Sequence, residues 1–252
     1  VSRILILGGT TEAAALAEAL ADHPALEVIT SLAGRTKQPR QLPGTVRVGG
    51  FGGADGLARY LADERIEALI DATHPFAAEI SAHAAIAAER AHVPRIVLAR
   101  PEWQPVDGDR WTVVADLDGA AGILRDQFAH LRAFLAVGSG SLAPFTGLTH
   151  PPVVRVAEPM AANPLPGSTI VVDRGPFTET GDRALMEQHH VGVVVSKNAG
   201  GSAAYSKIAA ARALGIPVVM VARPSPPPGP VVTTVHAAVQ WLTHTPATHV
   251  SR

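Results

Sequence analysis

Ile4-Leu5-Ile6-Leu7-Gly8-Gly9-Thr10-Thr11-Glu12-Ala13 decides how the rest of the chain is understood. Four consecutive apolar residues suit a strand buried on both faces, as in parallel sheets. Two glycines end the run, and Thr-Thr-Glu opens an Ala-rich helix. A strand that turns through glycine into a helix offers unpaired backbone N–H groups at the helix start, and these hold anions. Gly8 and Gly9 permit close approach, and the hydroxyls of Thr10 and Thr11 are further candidate donors. The dinucleotide fingerprint G-x-G-x-x-G is incomplete, because Ala13 replaces its third glycine. Taken alone, the segment fits an anion loop or an ordinary tight turn.

The same rhythm of short β-branched run and Ala-rich helix continues outward, the signature of βαβ units. It predicts strands at 3–7, 27–31, 45–48, 68–71 and 95–99, then at 112–114, 133–137, 153–156, 169–172, 191–196 and 218–222. Helices are expected near 11–22, 54–64, 76–92, 116–129, 179–189, 202–214 and 236–244. The polar stretch Arg100-Pro101-Glu102-Trp103-Gln104-Pro105 onward to Asp109 reads as a linker. Pro224-Ser225-Pro226-Pro227-Pro228-Gly229-Pro230 is stiff and extended, suited to handing the last segment across the molecule.

The chain also echoes itself. Ile86-Ala87-Ala88-Glu89-Arg90-Ala91, then Val93-Pro94, then a strand closing in Ala99-Arg100-Pro101, matches Ile208-Ala209-Ala210-Ala211-Arg212-Ala213, then Ile216-Pro217, then a strand closing in Ala222-Arg223-Pro224. The expectation is an α/β protein of two Rossmann-like parallel-sheet domains, a cofactor-binding one at 1–102 and a substrate-side one at 103–252, with a cleft between them.

Composition sets limits on function. The 252 residues are 47% hydrophobic and 17% charged, enough to bury a sizeable core. A net charge of -1 argues against nucleic acid as a partner. The absence of Cys removes disulfides, thiolate metal sites and thiol nucleophiles. No uncharged apolar run reaches the roughly 18 residues needed to span a bilayer. A cytoplasmic monomer without membrane contact is the expectation.

The second strand narrows the ligand. In NAD sites this strand ends in Asp or Glu, which binds the ribose hydroxyls. Here it ends Ile29-Thr30-Ser31 and runs on through Leu32-Ala33-Gly34-Arg35-Thr36-Lys37. Hydroxyls and cations replace the carboxylate, which suits the 2′-phosphate of NADPH, with Arg35 as the fork-shaped donor beside Ser31 and Thr36. A solvated basic loop is the alternative. Gly49-Gly50-Phe51-Gly52-Gly53 after the third strand suits a backbone lying against a flat ligand or a mobile loop.

Asp71-Ala72-Thr73-His74-Pro75-Phe76-Ala77 is the most specific string in the chain. Together with the opening Leu-Gly-Gly-Thr-Thr-Glu-Ala, Ser31-Leu32-Ala33-Gly34-Arg35, Arg174-Gly175-Pro176-Phe177 and Ser196-Lys197-Asn198-Ala199-Gly200-Gly201 with Lys207, it resembles the precorrin-6A reductase family of cobalamin biosynthesis. The resemblance runs from Leu5 to about Pro224. It implies NADPH-dependent reduction of one double bond of the precorrin-6A macrocycle to precorrin-6B. It also implies two Rossmann-like domains that exchange strands, for which the strands closing in Ala-Arg-Pro are the candidates.

Such a site needs a nicotinamide held against the acceptor carbon and one proton donor. His74, fixed by Pro75 after a strand end, is the candidate, since its ordinary pKa of about 6.5 lets it donate a proton or bond a substrate carboxylate; capping the next helix is its alternative role. Asp71 is placed to orient His74 or bond the nicotinamide ribose, and Thr73 and Phe76 to line the ring pocket. The polyanionic tetrapyrrole calls for cations and N–H groups, which Ser139, Ser141, Arg174, Lys197 and Lys207 offer at strand ends and helix starts.

Competing mechanisms fit less well. Tyr205-Ser206-Lys207 lacks the helical-turn spacing of a Tyr-Lys dehydrogenase pair, no histidines are spaced as a metal-binding HExxH, and Gly138-Ser139-Gly140 lacks the wider nucleophile elbow. Another NADPH-dependent reductase of an anionic substrate, or a non-catalytic nucleotide sensor, are the remaining alternatives. Arg35→Ala should raise the apparent constant for NADPH far more than that for NADH in steady-state titrations, and equal effects on both would reject the 2′-phosphate assignment.

Overall fold

Seven helices and twelve strands alternate along the residues that the computed structural model describes, 1–34 and 41–244. The first eight elements are β1 (Ser2–Leu7), α1 (Thr11–Leu20), β2 (Leu26–Leu32), β3 (Thr45–Val48), α2 (Gly53–Asp63), β4 (Ile66–Asp71), α3 (Ala78–Ala91) and β5 (Arg95–Leu98). There follow β6 (Trp111–Val114), α4 (Leu117–Gln127), β7 (Arg132–Ala136), β8 (Val153–Val156), β9 (Thr169–Val172), α5 (Glu179–Gln188), β10 (Val191–Lys197), α6 (Ser206–Ala213) and β11 (Val218–Val221). The chain then forms β12 (Val231–Val232) and α7 (Val235–His244). Every strand expected from periodicity is present, and β12, a dipeptide within a Pro-rich and Thr-rich stretch, is the one that periodicity misses. Helix α6 begins later than expected because Gly200 and Gly201 take positive φ and the chain turns before Ser206.

Two six-stranded sheets result, with orders β12-β5-β4-β1-β2-β3 and β6-β11-β10-β7-β8-β9, and every paired neighbour is parallel. Both are the doubly wound order, in which the chain builds outward on one side and then returns to build on the other. The α/β expectation of two Rossmann-like sheets is therefore met. The likeness goes down to single bonds. Ala99 N donates to Val232 O at 2.9 Å in one sheet, and Ala222 N donates to Val114 O at 2.8 Å in the other.

The core of the first sheet lies on both of its faces. Ile4, Ile6, Leu16, Leu20, Ile70 and Ile96 pack together on one, and Leu5, Leu7, Leu57, Leu61, Leu69 and Ala87 on the other. The period of two along β1 sends alternate residues to opposite faces, so an apolar run with no polar member is what this strand requires. In the second sheet Phe134, Val153, Val194, Ile208, Val218 and Met220 share a core with Trp103.

The domain boundaries differ from expectation in one respect. The chain divides into one unit of Val1–Pro101 plus the segment from Pro224 onward, and a second of Glu102–Arg223. The first crossing falls within one residue of the expected boundary at 102/103. The segment after Arg223, expected in the second domain, belongs to the first: β12 pairs with β5, and Ala238 of α7 is fully buried in the cluster that holds Leu16 and Leu20. The exchanged strands differ too. β5 and β11, which close in Ala-Arg-Pro, stay in their own sheets, whereas the next strand after each, β6 and β12, joins the other sheet. Proline has no N–H to extend a ladder, so Ala-Arg-Pro marks where the chain leaves a sheet, and both crossings fall there.

The stretch 100–109, expected as a linker, is anchored at Trp103, which is buried. Its N–H donates to Asn198 Oδ1 at 2.9 Å, its carbonyl accepts from Asn198 Nδ2 at 3.1 Å, and its indole donates to Gly201 O at 2.6 Å. Among the described residues no helix is long and apolar enough to cross a membrane.

Because α7 completes the first unit, Ala238→Glu should lower unfolding free energy by about 3 kcal/mol. Gln240→Glu, on the exposed side of the same helix, should change it by less than about 0.5 kcal/mol in urea titration.

Candidate functional site

In a doubly wound sheet, the gap for a ligand opens beyond the strand tips where the order reverses. In the first unit this point lies between β1 and β4, so Gly8-Gly9-Thr10 and Ala72-Thr73-His74 flank it. Gly8 N donates to Ser31 O at 2.9 Å, and a Cβ on Gly8 would lie 3.1 Å from Thr30 Cγ2, so the loop is pressed onto β2. Gly9 holds φ of 106°, a conformation that favours glycine, and the space its Cβ would fill is open. A ligand can therefore approach the backbone there.

Thr10 has a different part from the one expected. Its hydroxyl accepts from Ala13 N at 3.1 Å as the N-cap of α1 and donates its single proton to Ala72 O at 2.7 Å. No proton remains for a phosphate, so Thr10 ties the two flanking loops together. Helix geometry leaves the N–H groups of Thr11 and Glu12 for an anion. The Glu12 carboxylate accepts from Arg100 Nη1 at 2.8 Å and from Thr11 Oγ1 at 3.1 Å, which neutralises the acid beside the anion position.

Asp71 ends β4, almost wholly buried. Its Oδ1 accepts from Thr73 N at 3.2 Å and Thr73 Oγ1 at 2.7 Å, while Oδ2 has no hydrogen-bond partner. Thr73 gives its proton to Asp71, so Ser81 Oγ, 3.3 Å away, donates to Thr73. Asp71 thus orients Thr73 and not His74. Burial holds the pKa of nearby Arg95 below its ordinary value, and the charge of Asp71 partly opposes that shift. His74 is exposed, and its Nδ1 accepts from Phe76 N at 3.2 Å. That bond assigns the neutral ring its proton on Nε2. Helix α3 starts only at Ala78 and has no side-chain cap, so His74 shapes the turn before the helix without capping it. The rings of His74 and Phe76 lie 6.0 Å apart.

Ser31, at the tip of β2, is buried beside Arg47 of β3, its register partner, whose Nη1 donates to Ser31 Oγ at 3.3 Å. Sequence reading missed Arg47. The available signal was its parity on β3, which sets it beside Ser31 once the pairing is known. Arg35 and Thr36 lie outside the described residues.

The second unit repeats the arrangement. Its order reverses between β7 and β10, where Gly138 to Ser141 and Lys197 lie. Lys197 Nζ donates to Ser141 Oγ at 2.7 Å, so two of the expected substrate residues meet. Ser139 to Ser141 form a 3₁₀ turn after Gly138, whose φ is 88°. Arg223 Nη2 donates to Ala199 O at 3.1 Å and braces the loop after Lys197.

Two other expected cations do not join them. Arg174 follows β9, the edge strand, two strands from the reversal; it donates to Ala157 O at 3.0 Å and pairs with Glu158. Lys207 is buried, donates to Ala204 O at 2.6 Å and sits 4.9 Å from the Trp103 ring centroid, so it holds its own loop. A buried pair absent from the expected site is Arg155 with Asp182, whose Oδ2 also accepts from Ser206 Oγ at 2.6 Å.

Comparison with known proteins gives a consistent match. The family model described as precorrin-6x reductase CbiJ/CobK matches residues 3–243. A precorrin-6A reductase of Rhodococcus erythropolis is 47% identical over 96% of this chain and 97% of its own length. One from a Sinorhizobium species is 48% identical over 96% and 93%. A solved structure named CobK precorrin-6A reductase superposes with TM-score 0.91 at 41% identity, covering 98% of each chain.

Thr10→Val should lower stability by about 1–2 kcal/mol through loss of the cap and the tie to Ala72. Thr10→Ser, which keeps both bonds, should stay near wild type in denaturant titration.

Proposed function

The chain belongs to the precorrin-6x reductase family, and we propose that it uses NADPH to reduce one double bond of precorrin-6A, giving precorrin-6B, in the cytoplasm as a monomer. The observation that carries this reading is the 2.7 Å bond from Thr10 to Ala72, which holds an anion-ready loop beside the Asp71-Thr73-His74 turn. The residues present fit a dinucleotide. Gly9 leaves open space at the phosphate position, Ser31 and Arg47 stand where an NAD site has a carboxylate, and Asp71 Oδ2 lacks a donor.

NADPH supplies a hydride, and the second hydrogen of the reduction arrives as a proton. In this assignment Gly8, Gly9 and the N–H groups of Thr11 and Glu12 hold the pyrophosphate. Ser31 is assigned to the adenosine ribose, and Arg35 and Thr36, which lie outside the described residues, to its 2′-phosphate. Asp71 accepts from a nicotinamide ribose hydroxyl, and Thr73 and Phe76 border the ring. His74, exposed at this turn, is assigned as the proton donor. Ser139, Ser141 and Lys197 meet the carboxylate arms of the macrocycle, with Arg174 and Lys207 assigned to that side in lesser roles, since one is ion-paired and the other buried.

Anaerobic mixing with precorrin-6A should bleach the nicotinamide absorbance band and shift the tetrapyrrole spectrum together; binding of NADPH without its oxidation would reject the enzyme reading. Lys197→Ala should weaken tetrapyrrole binding about tenfold and leave NADPH binding near normal. A loss confined to NADPH would reverse the assignment of the two units.

A further inference from the structure

Arg47 differs from most of the other partly buried arginines of its unit. Arg3 pairs with Glu27 and Glu64, and Arg100 with Glu12. Among the described residues no carboxylate pairs with Arg47. Its guanidinium is held instead by neutral groups: Ser31 Oγ at 3.3 Å, Gly49 O at 2.6 Å and Gly50 O at 2.6 Å. Its carbon lies 3.8 Å from the centroid of the Phe51 ring and 5.2 Å from that of Tyr60. Neutral acceptors and aromatic faces fix the orientation of a guanidinium but leave its charge uncompensated. A half-buried, rigidly held cation of this kind is a ready partner for an anion.

Position gives the anion its identity. Ser31 lies one residue from the end of β2, the place where a dinucleotide's adenosine ribose lies in this sheet order, and the β2–β3 register sets Arg47 directly beside it. Of the guanidinium's five N–H groups, three serve Ser31, Gly49 and Gly50. Two remain, one on Nε and one on Nη2, as donors for a phosphate. The two glycine carbonyls stop the guanidinium from turning away, and the positions that Cβ atoms of Gly49 and Gly50 would fill are open.

We infer that Arg47 is a specificity-determining residue that reads the ribose 2′-phosphate, its orientation set by Phe51 and the Gly49-Gly50 carbonyls. This rests on the reading of the first unit as the NADPH site. It differs from the sequence expectation in placing the reader on β3, on a rigid element, and not only in the segment after β2.

The test titrates the protein with 2′,5′-ADP and with 5′-AMP, which differ only in the 2′-phosphate. Wild type should prefer 2′,5′-ADP. Arg47→Gln, which retains donors for the glycine carbonyls but loses the charge, should weaken 2′,5′-ADP by at least about tenfold and leave 5′-AMP within about twofold, while Arg47→Lys should recover part of the preference. Equal weakening of both ligands would make Arg47 a loop brace, and an intact preference in Arg47→Gln would exclude it as the reader; either result overturns the inference. A wild type without preference would instead defeat the NADPH reading on which it rests. Protection of Arg47 from phenylglyoxal, read by mass spectrometry on wild type, needs no variant to fold. Protection by 2′,5′-ADP and not by 5′-AMP supports the inference, and equal modification under both overturns it.

Discussion

The parallel pairing of β1 with β4 is the constraint on which the first unit depends. The chain leaves β1 to build β2 and β3 on one side, then returns to build β4 and β5 on the other. Helices following β1 and β4 therefore depart to opposite faces, and nothing in the sheet covers the tips between them. What closes the floor of that gap is small and specific: Ala72 N bonds Leu7 O at 3.0 Å, and Thr10 bonds Ala72 O. The glycines matter because this floor is backbone. A side chain at Gly9 would stand in space that is open.

The second unit obeys the same constraint with different residues. The reversal between β7 and β10 is lined by Gly138, the serines and Lys197, where the first unit has glycines and a helix start. The loop after Lys197 is braced at its start, by Trp103 through Asn198 and by Arg223 through Ala199. In the first unit Arg100 bonds Glu12. The two arginines of the repeated Ala-Arg-Pro follow equivalent strands, β5 and β11, but Arg100 reaches the helix after β1 whereas Arg223 reaches the loop after β10, the counterpart of β4. The matching strand orders are the physical reason to regard the halves as copies of one design.

Much of this was legible from residues alone. Short β-branched runs located eleven strands, most clearly those such as β4 and β11 whose apolar residues are buried on both faces. The loop at Gly8-Gly9 and the turn at Asp71-Thr73-His74 were visible as strand ends followed by helix starts. Three things were not. Val231-Val232 is too short for periodicity to register. The hydroxyl of Thr10 looked like a phosphate donor because a sequence does not show which acceptor a proton will meet first, and Ala72 O is 62 positions away. Arg47 was hidden because its meaning comes from lateral pairing, and register is set by the sheet as a whole. Lys207, expected among the cations for a polyanionic substrate, is buried against Trp103, a contact that a sequence does not show.

The crossing of the chain at Pro101 and again at Arg223 has a consequence for the order in which the molecule can be made. Residues 102–223 are contiguous and include all six strands of their sheet. The first unit is not contiguous. During synthesis its opening loop emerges early, but the strand that covers β5 and the helix that packs on α1 emerge only after the whole of the second unit has been translated. On a ribosome, therefore, the part of the protein that begins last is the first able to complete its sheet. The segment that carries Gly8-Gly9 waits, with an apolar face exposed, for the final stretch of chain to close it.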